Sequence, residues 1–419
     1  MVIRKSFFTI VLPQYLLIYC IAACSGSLLF VQNINVFGYG IIAFFILMGV
    51  FKKNFRNQNA IVFSAFLMFS VVFVRLLSGN IGIDAGVLSV SQVLVVYCAF
   101  LLDKKNFLNR YVDCIAILAL VSLGGWILQL CAPTILNNIV PTQQNLFNKS
   151  GTYTTTYHGL LFYVYSLTDS RNCGIYTEPG RYQSILHGAL FILLLCPKYL
   201  NKSRRRMLFD VVIVILAIVS TQSTTGYLML AIIMIGFVFT NKRQFNSSIK
   251  KCITGLVVLV TSLLIFDFLH NGSASLISSA VVKKLSETDA NDMYSSGGAR
   301  LRMIAICWNY IVTKPWGVGT ISVLGNNVSA GILKYIGSLG VLPGIITLIW
   351  LFRPMFKYHD SKIAALTFVV IYIYQGLSQT YMFYSGLLVI PIVLNELSKE
   401  YIEEWRHTNN ENQFIGSKI

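Results

Sequence analysis

The sequence predicts an all-α polytopic integral membrane protein with about 12 transmembrane helices and two large outer loops that contain short helices. Hydrophobic residues make up 55% of the chain, charged residues only 12%, and the mean hydropathy is +0.67. A chain of this composition can expose its outer surface to lipid. Apolar runs of about 20 residues, enough to cross a hydrocarbon core of about 30 Å, recur along nearly the whole length.

Polar segments between these runs delimit the candidate spans. The spans are 10–31, 34–51, 60–79, 86–102, 111–132, 183–197, 207–221, 224–240, 252–269, 331–352, 363–377 and 380–397. The predicted organisation is transmembrane helices 1 to 5 in 1–132, a large loop at 133–182, helices 6 to 9 in 183–269, a large loop at 270–330, helices 10 to 12 in 331–398 and a cytoplasmic tail at 399–419. The first span lacks a small-residue cleavage site after a short apolar core, so we expect it to be retained.

Basic residues predict the orientation, because Lys and Arg are retained on the cytoplasmic side of short loops. Most of the 33 Lys and Arg residues lie near the two termini or in alternate connections, such as 52–56 and 204–206. The intervening connections 80–85 and 222–223 carry none. Both termini are therefore predicted in the cytoplasm. This asymmetry and attraction to anionic membrane lipids explain most of the net charge of +17, so we expect no nucleic-acid partner.

Cysteine usage points to packing rather than to metal binding. Most of the nine cysteines fall within predicted spans, where a small soft side chain packs well. Cys173 and Cys307 would lie outside, which makes a disulfide between them conceivable. The chain has no CxxC motif and no His/Cys cluster, so we expect no metal site.

Ten Lys and Arg residues are not explained by retention on the cytoplasmic side, because they fall on the predicted outer side or near the outer end of a span. They are Arg75, Lys149, Arg171, Arg181, Lys283, Lys284, Arg300, Arg302, Lys314 and Lys334. Most lie in the loops 133–182 and 270–330, which are the only connections large enough to build a site. Long loops held on a rigid scaffold commonly carry function.

The first large loop ends in Arg-Asn-Cys-Gly-Ile-Tyr-Thr-Glu-Pro-Gly-Arg-Tyr-Gln at 171–183 and runs directly into the sixth span. Pro179 suits the first turn of a helix, and Glu178 would then stand at the cap, where the helix dipole favours a carboxylate. Glu178 and Arg181 would share one face, three residues apart. The same pattern also fits an ordinary cap with an adjacent ion pair. His187 projects roughly opposite Glu178 on a regular helix.

The second large loop contains Ser-Ser-Gly-Gly-Ala-Arg-Leu-Arg at 295–302, followed by apolar residues at helical spacing and a breaker-rich exit at 314–319. This pattern predicts an amphipathic helix near the membrane interface. Arg300 and Arg302 in its first turn oppose the helix dipole, so a negative group should compensate them. Guanidinium donors beside free backbone N–H groups suit a diphosphate. Solvent or lipid headgroups are the alternative partners.

Arg75 lies close to the outer end of the third span, where an ionisable group either faces a cavity or snorkels to the surface. Polar corners follow at 221–226 and at 375–384. These corners either line a polar cavity or satisfy helix ends.

Taken in order along the chain, these motifs resemble the O-antigen polymerase (Wzy-type) family, which is related to the O-antigen ligases. The resemblance rests on the spans, the two large loops, Gly-Ile-Tyr-Thr-Glu-Pro-Gly at 174–180, Thr-Thr-Gly at 224–226, and the Arg-led helix that ends in Lys-Pro-Trp-Gly-Val-Gly. The stretches 326–329 and 337–341 also resemble the region before the following span in this superfamily.

The resemblance implies a GT-C-like membrane glycosyltransferase in the bacterial inner membrane, with a periplasmic active site and no cofactor. Its donor and acceptor would be oligosaccharide repeat units linked to undecaprenyl diphosphate, and a separate chain-length co-polymerase would be a partner. An acceptor hydroxyl would attack the donor's anomeric carbon, and the polyprenyl diphosphate would leave. This chemistry needs cations on the leaving group and a base near the hydroxyl.

The resemblance implies roles for the outer residues. We expect Glu178, Arg181 and Arg300 to be catalytic, the arginines on the diphosphate and Glu178 on the acceptor hydroxyl or orienting an arginine. The expected substrate-binding residues are Arg75, Arg171, Arg302, Tyr176 and Tyr182.

Two other activities stay open. O-antigen ligases share the architecture and place an essential His in the second large loop, but Asn326 and Asn327 occupy that stretch here, and the loop's only His is His270. A lipid-linked oligosaccharide flippase or transporter would also hold arginines that face a cavity. The absence of a clear internal repeat and the two long outer loops argue against alternating access.

Overall fold

A computed structural model of the chain describes residues 7–27, 29–30, 33–51, 58–138, 142–144, 155–158, 161–164, 171–240, 255, 262, 266, 269–270, 296–321, 330–359, 361–379, 382–383 and 385–396.

Helices dominate the described residues, as the sequence predicts. They are α1 (Leu12–Cys24, led by a π-helical turn at Phe7–Val11), α2 (Ile34–Phe51), α3 (Gln58–Ser78), α4 (Ile83–Leu102), α5 (Phe107–Cys131), α6 (Pro133–Asn138), α7 (Pro179–Leu195), α8 (Arg204–Ser220), α9 (Thr224–Phe239), α10 (Ser296–Thr313), α11 (Gly331–Leu339), α12 (Val341–Tyr358), α13 (Lys362–Ser378) and α14 (Ser385–Glu396). Of the described helices, four are long and apolar enough to cross a membrane: Phe7–Cys24, α3, α4 and α5. The protein is therefore suited to a membrane environment.

Shorter apolar helices correspond to further predicted spans. The segments Ile34–Val50, Thr224–Phe239, Lys362–Ser378 and Ser385–Glu396 match four of them in position. The predicted span 252–269 lies almost wholly outside the described residues.

One predicted span, 331–352, is wrong as a continuous helix. The chain breaks at Gly340, which has φ 96° and ψ 162° and separates α11 from α12. A left-handed residue of this kind cannot continue an α-helix, and the apolar pattern did not reveal it. Because α11 has only nine residues, it is too short to cross a bilayer.

Two helices lie at the centres of the packing. Helix α4 contacts α1, α2 and α3, whereas α7 contacts α5, α8, α9 and α13. Every side chain of α7 from Arg181 to Leu195 is buried. A helix that is apolar nearly all round and enclosed on all sides suits a core position, and this one brings its N-terminal turn to the candidate site.

Helix α3 presents an apolar face outward. Val62, Phe69 and Leu76, spread along this strongly apolar helix, are each more than half exposed. Soluble monomers rarely expose a contiguous apolar surface of this kind, so the face is suited to contact lipid.

A small antiparallel sheet lies within the first large loop. Strand β1 (Thr142–Gln144) pairs with β2 (Thr155–His158), which pairs with β3 (Phe162–Val164). The sheet is held to the helices by Phe162, which is 4% exposed and lies against Gly125 of α5. A Cβ at Gly125 would lie 2.8 Å from the Phe162 ring, so glycine is needed for this approach.

Four charged residues form a network of ion pairs at the end of the bundle away from the α7 N-terminus. The ammonium group of Lys202 lies 2.9 Å from a carboxylate oxygen of Asp113 and 2.6 Å from one of Asp210. Arg206 lies 3.3 Å from each of the same carboxylates. These cations, which the sequence assigns to a cytoplasmic connection, therefore also join α5 to α8.

Candidate functional site: the N-terminal turn of α7

Helix α7 begins at Pro179, and Glu178 is its N-cap residue, as the sequence predicts. Glu178 has extended backbone angles, φ −146° and ψ 142°, and its side chain makes no capping hydrogen bond. The carboxylate is therefore available to other partners at the positive end of the helix dipole.

The predicted pair of Glu178 and Arg181 is confirmed as an ion pair. A guanidinium nitrogen of Arg181 lies 3.8 Å from a carboxylate oxygen of Glu178. Arg181 is only 6% exposed, whereas the Glu178 side chain is 42% exposed. A buried guanidinium requires anionic or polar partners, and a half-exposed carboxylate can reach one from solvent.

Gly26 allows Arg181 to occupy this position. It lies in the turn after α1 with φ +110°, and a Cβ there would be 2.8 Å from Cδ of Arg181. The stem of Arg181 therefore packs directly on the backbone of this turn. The next residue, Ser27, forms an isolated antiparallel bridge with Tyr176, so the turn is attached to the segment before α7.

Tyr176 and Tyr182 are stacked beneath the ion pair, with ring centroids 5.4 Å apart. Both are buried. Tyr176 donates a hydrogen bond of 2.8 Å to the Ala22 carbonyl, and the Tyr182 hydroxyl lies 2.7 Å from the Ser122 hydroxyl. Both rings therefore support the segment around the α7 N-terminus, and their role in substrate binding stays a prediction.

Asn172 joins three elements at this site. Its side-chain amide donates to the hydroxyls of Ser122 on α5 at 3.1 Å and Ser220 on α8 at 2.9 Å. Its side-chain carbonyl accepts the Gly174 N–H at 2.9 Å. Gly174 has φ +55°, and a Cβ there would lie 2.9 Å from the Tyr182 ring. Glycine is thus required both for the turn and for the close approach.

Buried amide side chains surround the first turns of α7. Gln375 on α13 donates to the Gly180 carbonyl at 3.4 Å, and the Gln379 amide contacts Gly180. Gln183 is fully buried against Gly226, and neither its amide nitrogen nor its carbonyl oxygen has a hydrogen-bond partner among the residues that the structure describes. The predicted polar corners at 221–226 and 375–379 therefore meet at α7. Tyr381 and Tyr384 of the second corner lie outside the described residues.

His187 is not a partner of Glu178. Its ring nitrogens lie 2.6 Å from the Gln183 carbonyl and 3.1 Å from the Gly226 carbonyl, and it is fully buried between α7 and α9. The prediction that this side chain points away from the carboxylate agrees with these contacts.

The remaining predicted arginines occupy different environments. Arg171 is half-buried just before Asn172, and Arg75 is exposed in the last turn of α3. Arg302 is half-buried on α10, and Arg300 lies in the first turn of that helix, but its side chain is outside the described part of the structure. The described contacts thus join Glu178, Arg181, Tyr176 and Tyr182 into one unit.

Helix α10 is present, as the sequence predicts, but its apolar residues divide between two faces. Met303 and Cys307 are buried in a cluster with Ile321 and Ala330. Leu301 and Trp308 are exposed, at 48% and 60%. An exposed apolar stripe on an otherwise docked helix suits the membrane interface.

The exit from α10 is bound to the break between α11 and α12. The N–H groups of Val318 and Gly319 donate to the carbonyls of Gly337 and Ser338, and the Val341 N–H donates to Pro315. Two sequence motifs, 314–319 and 337–341, therefore form one backbone junction.

The disulfide considered between Cys173 and Cys307 is absent. Neither residue forms a disulfide, and both are fully buried. Cys173 lies in the turn before α7, whereas Cys307 lies on α10 in a cluster with Met303, Ile321 and Ala330.

Sequence reasoning missed Gly26, Asn172 and Gln183 as residues of the site. Asn172 stands beside Arg171 in the motif, and Gln183 interrupts an apolar helix, so both gave a signal. Gly26 gave none, because its importance depends on Arg181 from a distant part of the chain.

The arrangement can bind an anion at Arg181 and accept a proton or hydrogen bond at Glu178. Among the described residues, no group of three or more His, Cys, Asp and Glu side chains is placed to hold a metal ion. No protein-family model, no curated protein and no solved structure matches the chain.

Proposed function

We propose that the protein polymerises oligosaccharide repeat units linked to undecaprenyl diphosphate into O-antigen or a related surface polysaccharide, at the periplasmic face of the bacterial inner membrane. In this proposal about 12 spans in a GT-C-like arrangement carry the site, both termini are cytoplasmic, and a chain-length co-polymerase is a partner. The observation that carries the proposal is the pairing of buried Arg181 with half-exposed Glu178 at the start of α7. The order of motifs along the chain supports it.

The chemistry follows from these two groups. An acceptor hydroxyl attacks the anomeric carbon of the donor glycan, a new glycosidic bond forms, and the bond from that carbon to the diphosphate oxygen breaks. Polyprenyl diphosphate leaves with the electron pair, and Arg181 with Arg300 stabilises its growing negative charge. Glu178 accepts the hydroxyl proton or, in the second form of the proposal, orients Arg181.

The proposed substrate-binding residues are Arg75, Arg171, Arg302, Tyr176 and Tyr182. The arginines bind diphosphate or glycan by charge-assisted hydrogen bonds. Because Tyr176 and Tyr182 are buried in the described structure, they bind substrate only after a movement that exposes their rings.

Complementation of a strain that lacks the gene tests the proposal. Arg181→Ala, Arg300→Ala and Glu178→Gln should each shorten or abolish the polymer at normal protein level, whereas Lys314→Ala, an exposed cation outside the site, should not. Polymer length is measured on a lipopolysaccharide gel and protein level on an immunoblot. Full-length polymer from all three site variants would refute the assignment.

The deletion phenotype separates the proposed activity from its alternatives. Loss of a polymerase leaves lipid A core bearing one repeat. Loss of a ligase leaves no attached repeat, and loss of a flippase also leaves none, with intermediates held on the cytoplasmic side. Polymerisation of a defined lipid-linked repeat by the purified protein is the direct test.

A further inference from the structure

A cavity of about 230 Å³ lies beside the chain that follows the Gly26 turn. Phe30 from this part of the chain forms one wall, and the other walls come from α3, α4, α11, the segment after α10 and the segment after α13. The lining is mainly apolar and includes Val71, Leu88, Tyr335 and Phe383. The cavity is therefore distinct from the ion pair of Glu178 and Arg181.

Lys334 is the one charged residue among the side chains that line this cavity. It is half-buried on α11, and no carboxylate among the described residues lies within ion-pair distance of it. Asp84, next to cavity residue Ala85 on α4, is exposed and accepts a hydrogen bond of 3.0 Å from Tyr39. A partly buried ammonium group without an anion is costly, so the cavity is suited to receive one.

Some of the other polar side chains that line the cavity have hydrogen-bond partners, and some have none among the described residues. Gln92 donates to the Cys24 carbonyl and accepts from Ser385, and the Ser89 hydroxyl donates to the Ala85 carbonyl. The Ser338 hydroxyl has no partner among the described residues. Because Ser338 follows Lys334 by four residues on α11, both project from the same side of the helix. Lys334 and Ser338 are thus two neighbouring donors in the cavity lining.

We propose that this cavity binds a single-chain amphiphile with an anionic head, a phosphate or a carboxylate, independently of the proposed polymerase activity. The head binds Lys334 and Ser338, and the chain lies along Val71, Leu88 and Phe383. At about 30 Å³ for each water-sized group, the volume holds roughly eight such groups. It is below the range of roughly 300–1,000 Å³ of drug-sized sites, so the head and the first carbons fit and the rest of the chain extends outward.

The test uses the full-length purified protein in an uncharged detergent at fixed micelle concentration, with radiolabelled dodecyl phosphate as the probe. We expect saturable binding to the wild type, and Lys334→Met should weaken it at least tenfold while leaving the melting temperature unchanged. Lys334→Arg should retain binding, because the positive charge remains. Lys314→Met, which removes an exposed lysine outside the cavity, should bind as the wild type does.

Competitors identify the chemistry of the ligand. Unlabelled dodecyl phosphate and dodecanoate should displace the probe, whereas dodecanol and inorganic phosphate should not. Equal displacement by dodecanol would show that the site does not recognise the negative charge of the head group. Displacement by inorganic phosphate would show that the site binds a free anion without the alkyl chain. Either result overturns the proposal. So would unchanged binding to Lys334→Met.

A second variant covers the case in which Lys334→Met does not fold. Ala85→Leu fills the cavity from α4 and leaves the lysine in place. It should weaken binding of dodecyl phosphate at least tenfold, and unchanged binding would place the ligand elsewhere. Neither Ala85 nor Lys334 belongs to the proposed catalytic site, so a loss of polymer formation in the Arg181 variants does not affect this outcome.

Discussion

Replacing Asn172 by Ala should destabilise the protein and disturb the segment that carries Glu178. The change removes two hydrogen bonds donated to Ser122 and Ser220 and one accepted from the Gly174 N–H. At about 0.5–1.5 kcal/mol for each of the three bonds, the loss is about 1.5–4.5 kcal/mol, and the buried Gly174 N–H left without this partner favours the upper half of that range. The side-chain contacts of residue 172 with α5 and α8 are lost together, whereas its backbone N–H still donates to the Ser220 carbonyl.

The assay is equilibrium unfolding of the purified protein by sodium dodecyl sulfate in mixed micelles, followed by circular dichroism. Asn309→Ala is the matched control, because Asn309 is exposed on α10, and it should change the free energy of unfolding by less than about 0.5 kcal/mol. If Asn172→Ala also stays within about 0.5 kcal/mol of the wild type, Asn172 does not hold these three elements together.

Three further variants or probes test the fold. A maleimide should label exposed Cys131 and spare Cys307 in the native protein, because Cys307 is fully buried and burial raises the pKa of its thiol to about 11. The labelled residues are identified by mass spectrometry after reaction at pH 7. Labelling of Cys307 would contradict its packing. Asp210→Ala should lower the free energy of unfolding by about 1.5–3 kcal/mol, because it removes one charged partner of Lys202, which keeps Asp113. A loss below about 1 kcal/mol in the same unfolding assay would refute this. Gly340→Ala should cost about 1–3 kcal/mol, because φ is +96° and a Cβ would lie 2.8 Å from a backbone carbonyl; a stable variant would argue against the break.

Hydrophobic periodicity predicted most of the helices in the described part of the chain, because lipid-facing and core-facing positions both need apolar side chains. It did not predict the break at Gly340, since Gly-Ser-Leu-Gly-Val reads as apolar as its neighbours. The backbone junction with 314–319 that accompanies the break is a contact between distant segments. Contacts of this kind leave no local pattern in the sequence.

The sequence predicted only part of the candidate site, because the rest of the site depends on contacts between distant segments. Glu178 and Arg181 are three residues apart on one helix, so their pairing follows from helical geometry alone. Gly26 and Asn172 act through residues far along the chain, and no spacing rule connects them to α7. The role of Lys334 in the cavity likewise depends on how α11 packs on α3 and α4.

Gln183 provides a contrast to Asn172, because both are buried amides beside the same helix end. Asn172 makes three side-chain hydrogen bonds, whereas neither polar atom of the Gln183 side chain has a partner in the described part of the chain. A buried polar group without a partner costs about 1–3 kcal/mol. Gln183→Leu preserves the approximate volume and removes this cost, so it should raise the free energy of unfolding by about 1–3 kcal/mol in the same assay.

A stabilising substitution at Gln183 also reports on function. If the Gln183 amide serves the site around Arg181, Gln183→Leu should shorten the polymer while it makes the protein more stable. Such a trade-off between stability and activity is expected where a functional site retains a polar group that costs stability. Gln14→Leu is a suitable control, because Gln14 is equally buried at the opposite end of the bundle but donates to the Ala99 and Asp103 carbonyls, so its loss should destabilise. A Gln183→Leu protein that is less stable than the wild type would show that its amide is satisfied in the membrane, and the contrast with Asn172 would then fail.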